Sequence, residues 1–128
     1  MHRLPVRIAA ILSFVIGAMS VFAGGAVLRG RDPGYHVIAW LPAYNFAVGL
    51  VSAAVTAALI WRQSRTALAA ALATFTGHTL VMVILQTAYR DVVARQSLMA
   101  MTFRMAVWLL ILLLMLAQGR RERRPASA

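Results

Sequence analysis

Cysteine is absent from this 128-residue chain, and charge of one sign is nearly so: Asp32, Asp91 and Glu122 are its only acidic residues. Without cysteine there is no disulfide, no thiolate metal site and no thiol nucleophile. All three acids lie outside the long apolar runs, so the intramembrane carboxylates on which proton pumps rely are missing. Lysine is absent as well, and all 13 basic residues are arginine.

What is present is overwhelmingly apolar. Hydrophobic residues make up 62% of the chain and charged residues 12%, with a mean hydropathy of +0.78. A soluble domain averages about half apolar and a quarter charged, so the composition belongs to the membrane class. A net charge of +10 would suggest nucleic acid in a soluble protein. Here the arginines flank apolar runs, so no nucleic-acid partner is expected and the lipid bilayer takes its place.

Four apolar runs stand out, over residues 8–28, 41–61, 67–88 and 98–118. About 20 residues cross the hydrocarbon core as a helix, and each run meets that length. Lipid leaves isolated strands no way to satisfy their backbone, so the expected fold is all-α: an integral membrane four-helix transmembrane bundle in one domain. Residues 119–128 are expected to form a basic flexible tail. Pro42 suits a first helical turn, and Asp91 and Arg95 are spaced for an i, i+4 pair if the connector between the last two runs is helical. A rival reading takes the first run as a signal peptide cut after Ala23. Signal cores usually stop at about 7–15 apolar residues, whereas this run continues to Leu28.

Sidedness follows from the arginines. Arg3, Arg7, Arg62, Arg65, Arg120, Arg121, Arg123 and Arg124 fall on one side, and Arg29, Arg31, Arg90 and Arg95 on the other. The positive-inside rule then places both termini in the cytoplasm, N-in and C-in, and suggests a bacterial inner (cytoplasmic) membrane. Tyr35, Trp40, Tyr44 and Tyr89 read as an aromatic belt at the outer face, with Trp61 at the inner one. Arg120, Arg121, Arg123 and Arg124 can attract anionic lipid headgroups.

Two sets of polar or small residues invite a role. Ser13, Gly17, Ser20 and Gly24 share one face of the first helix, and Asn45, Gly49, Ser52 and Thr56 one face of the second. Small faces let transmembrane backbones approach closely, so these are expected to pack on each other; the alternative is that they line a cavity. The second set is Asn45, His78 and Arg104. At about 1.5 Å per residue they stand about 26, 20 and 24 Å from the inner boundary, within a core about 30 Å thick. Thr74 and Thr102 are near enough to join them, and Trp108 is one turn from Arg104, where it can stack on the guanidinium.

An arginine left bare at mid-helix costs at least about 2.5–3.5 kcal/mol, so Arg104 is expected to face the bundle interior. Asn45 offers it an amide oxygen and neutral His78 a ring nitrogen. The alternative is that Arg104 snorkels to the outer surface to meet Asp91. One histidine within a span is too few for haem ligation, and Asp32 with His36 is too loose for a metal site. No serine has a neighbouring His and acid, so no cofactor and no catalytic residue are expected. Two functions fit: a structural or accessory subunit of a larger membrane complex, or an oligomeric binder or transporter of an anion, carbonyl-bearing ligand or quinone.

Overall fold

The computed structural model describes residues 3–124, all helix, turn and connector, with no strand among the described residues. Four helices are each long and apolar enough to cross a membrane: α1 (Leu4–Leu28), α2 (Leu41–Trp61), α3 (Ala67–Thr87) and α4 (Arg95–Arg123). Proline stands in the first turn of α1 and of α2, where its missing N–H sacrifices no intrahelical bond. α1 ends in a left-handed cap. Gly30 has φ +99°, its N–H reaches the Val27 carbonyl, and the Arg31 N–H reaches that of Ala26; this is the Schellman pattern that ties off a helix.

α2 and α3 match their apolar runs to within one residue, whereas the first and last helices extend beyond theirs. α1 begins at Leu4 rather than residue 8, and α4 extends from Arg95 to Arg123 rather than over 98–118. Hydropathy marks the stretch that lipid tolerates. Backbone hydrogen bonding continues through Arg, Gln and Glu, which are good helix formers. The expected flexible tail is therefore corrected: residues 119–123 form the last turns of α4, and 125–128 lie outside the described residues. Asp91 sits in a turn and Ala94 is extended (φ −73°, ψ 145°), so Asp91 and Arg95 do not share a helix as that pairing requires.

Going round the bundle the order is α2, α1, α4, α3. α1 packs along the length of α2 through the small faces. A Cβ added at Gly17 would meet the Ala53 backbone nitrogen at 2.5 Å and the Gly49 carbonyl oxygen at 2.7 Å. One added at Gly24 would meet the Pro42 carbonyl oxygen at 2.6 Å. Ser13, Ser20, Ser52 and Thr56 are buried along the same seam.

Within α2, Val51–Thr56 is wound as a π-helix. The Ser52 carbonyl accepts the Ala57 N–H five residues on and also the Ser13 hydroxyl at 2.8 Å. A side chain from a neighbouring helix bonding into the ladder is a recognised cause of such local rewinding. The Thr56 hydroxyl, whose usual acceptor would be the same Ser52 carbonyl, is buried without a partner.

α3 packs chiefly on α4, and a groove of about 360 Å³ runs between α2 and α3 past Val51, Thr56, Thr74 and Gly77. Two apolar cores result. One, toward the termini, gathers Ile16, Ile60, Ala71, Trp108 and Ile111. The other, toward the connectors, gathers Ile38, Leu41, Val81, Leu85 and Met101. Asn45, His78 and Arg104 fall between the two along their helices.

Candidate functional site

Every Cα–Cβ bond of a helix tilts toward its N-terminus. The long Arg104 side chain accordingly runs back along α4 toward Ala100 and Ser97, the end of the bundle that carries the 29–40 connector (called the outer end, after the sidedness the arginines predict). Arg104 is 8% exposed, and its Nη1 donates to the Asn45 Oδ1 at 3.0 Å. The bond ties α4 to α2 across the interior. Arg104 therefore does not snorkel to Asp91.

His78 takes a different partner. The Nδ1 of His78 and the Tyr44 hydroxyl share a hydrogen bond of 3.0 Å, donated by the hydroxyl when the ring proton sits on Nε2. The two rings meet edge to face at 5.8 Å. One turn outward, Trp40 Nε1 donates to the Tyr89 hydroxyl at 3.0 Å. Trp40 also lies edge to face with Tyr44 at 6.5 Å and with Tyr89 at 5.8 Å. A ladder of four rings thus bridges the side of the bundle where α2 and α3 are otherwise loosely packed. Residues read from the sequence as an aromatic belt form one side of the polar cluster. The signal available for Tyr44 was its i, i+4 spacing from Trp40, which puts both on one helix face.

Thr74 and Trp108 are not drawn in. The Thr74 hydroxyl donates to the Ala70 carbonyl in its own helix at 2.9 Å, and Thr102 does the same to Leu98 at 2.8 Å from an exposed position. Trp108 is buried in the core near the termini, because the guanidinium extends away from it. The cation–π contact among the described residues is elsewhere, with the Arg7 guanidinium 5.4 Å from the Trp61 ring centre.

Beside Arg104 a cleft of about 90 Å³ opens between α1, α2 and α4. Arg104, Asn45, Ser97 and Tyr35 supply its polar wall, and Gly24, Val27 and Leu41 are among its apolar lining. Neither Ser97 nor Tyr35 was read from the sequence as part of the site: Tyr35 was assigned to the aromatic belt, and Ser97 carries no motif. No family model, no curated protein and no solved structure matches the chain.

The Tyr44–His78 bond gives a first prediction. Tyr44→Phe keeps the ring and removes the hydroxyl, so the expected loss is about 0.6–1.7 kcal/mol, the range for interhelical hydrogen bonds in membrane proteins. Equilibrium unfolding in mixed micelles measures it, and an unchanged midpoint would mean the bond contributes nothing net.

Proposed function

We propose that the chain is a multi-pass protein of the bacterial inner membrane, with both termini in the cytoplasm, serving as a structural or accessory subunit of a larger membrane complex. Insertion is supported by the outward-facing side chains: Phe14, Phe22, Leu80, Phe103 and Leu113 are all more than half exposed, an apolar surface far beyond what a water-soluble monomer carries. Sidedness rests on eight arginines against four. Arg120, Arg121 and Arg123 on the last turns of α4, with Arg124 directly after it, suit anionic lipid headgroups at the inner face.

The observation that carries the structural role is how the polar side chains are used. Asn45 with Arg104 and Tyr44 with His78 bond between helices, and Trp40 with Tyr89 just beyond the ends of α2 and α3, so they hold the bundle's shape, as a scaffold requires. The open groove between α2 and α3 leaves a face to offer to another membrane component.

Because the chain has no cysteine, single cysteines report without background. A membrane-impermeant maleimide applied to intact cells should label His36→Cys and reach Ser64→Cys only after permeabilisation; the reverse pattern overturns the topology. Purified in mild detergent, the chain should carry a stoichiometric protein partner through size exclusion. Elution as a single species or a homo-oligomer alone overturns the accessory role.

A further inference from the structure

Arg104 brings a positive charge into an interior where none of the four apolar runs supplies a carboxylate. Asn45 satisfies one of its five N–H donors and, being neutral, leaves the charge uncompensated. None of the guanidinium nitrogens is a buried atom without a partner, so the donors not given to Asn45 keep some exposure, and Arg104 lines the adjoining cleft.

The backbone around that cleft adds to the same sign. Leu41 and Pro42 from the start of α2 and Ser97 from the start of α4 line it, so two helix N-termini converge there. Neither has an acidic residue in its first turn or a side-chain cap. The Leu41 and Ser97 amides are taken by the Ile38 and Ala94 carbonyls and Pro42 has none, so what these ends contribute is the aligned peptide dipole, which favours negative charge. The opposing dipole end of α1 is partly answered, since the amides of Arg29, Gly30 and Arg31 take its carbonyls. The nearest acid in the connector, Asp32, is engaged by its own turn through the Gly34 N–H at 2.9 Å.

We propose that the cleft between α1, α2 and α4 binds a single oxyanion group, a phosphate or a carboxylate, with Arg104 as its charge partner. A guanidinium presents a planar fork of donors that matches either anion. A quinone or other neutral carbonyl would take the hydrogen bonds and leave the charge. A volume of about 90 Å³ admits one such group and no large polar body. The apolar lining at Gly24, Val27 and Leu41 allows the group to be the head of an amphiphile, so a lipid phosphate and a free anion share this chemistry.

The test uses the full chain, stripped of lipid in neutral detergent at constant ionic strength with chloride as the reference salt. One arm titrates inorganic phosphate and acetate; the other adds phosphatidylglycerol against phosphatidylcholine in mixed micelles. The wild-type melting temperature should rise saturably by about 10 °C at a hundredfold excess over half-saturation. A rise in the first arm identifies a free anion, and a rise in the second alone identifies a lipid headgroup. Arg104→Gln should abolish it. Ala100→Leu, which fills the cleft while keeping Arg104 and Asn45, should abolish it too and keeps the test decisive where Arg104→Gln fails to fold. No saturable rise in either arm overturns the proposal. So does an equal rise in Ala100→Leu, which would move the anion to exposed arginines such as Arg120 and Arg121.

Discussion

Gly17→Val is expected to force α1 off α2 and destabilise the protein by about 3 kcal/mol, the upper part of the usual range for overpacking. The reason is what the new side chain would strike. At Gly17 the first added carbon already lies 2.5 Å from the Ala53 backbone nitrogen and 2.7 Å from the Gly49 carbonyl oxygen. Neither atom can rotate away as a side chain can, so one helix must translate. In lipid the association of these two helices rests on close van der Waals contact, and separation forfeits it along the seam. Gly119→Val is the control, since a Cβ there meets nothing within 4 Å. Unfolding of both variants in mixed micelles decides the matter, and equal midpoints would show that the glycine contact does not hold α1 to α2.

The second large effect concerns the bond between α2 and α4. Asn45→Leu leaves the Arg104 guanidinium buried without its acceptor and should cost about 3 kcal/mol, the lower end of the penalty for orphaning a buried ion. Arg104→Leu removes the charge itself and orphans only a neutral amide, at about 1 kcal/mol. The double variant, apolar at both positions, should unfold close to the wild type. That pattern is strongly non-additive, with a coupling of about 4 kcal/mol in magnitude. Measured without added anion, effects that simply add would mean that the 3.0 Å contact carries no energy.

Much of the architecture was legible in the residues. Run lengths fixed four helices, and the spacing of Ser13, Gly17, Ser20 and Gly24 against Gly49, Ser52 and Thr56 matches the seam that α1 and α2 form. The candidate site was legible only in depth. Counting along a helix gives altitude and says nothing of azimuth, so Asn45, His78 and Arg104 could be set at one level without their pairing being known. Asn45 met Arg104, whereas His78 met Tyr44, whose ring suits an interface as well as an interior. Trp108 was misassigned because i, i+4 spacing records shared faces and not the lean of a long side chain toward the helix start. The cleft was invisible for a further reason: three helices and a connector build it, and none of its apolar lining differs from ordinary lipid-facing sequence.

The rewound turn at Val51–Thr56 has a bearing on how far one straight partner can be followed. Residues four apart advance by about 40° beyond a full revolution in an ordinary helix, so Ser52, Thr56 and Ile60 would spiral away from any straight neighbour. A locally broader coil holds more residues per revolution and cancels that drift. All three stay buried, and α2 keeps faith with α1 to its last turn like a thread cut to a slower pitch.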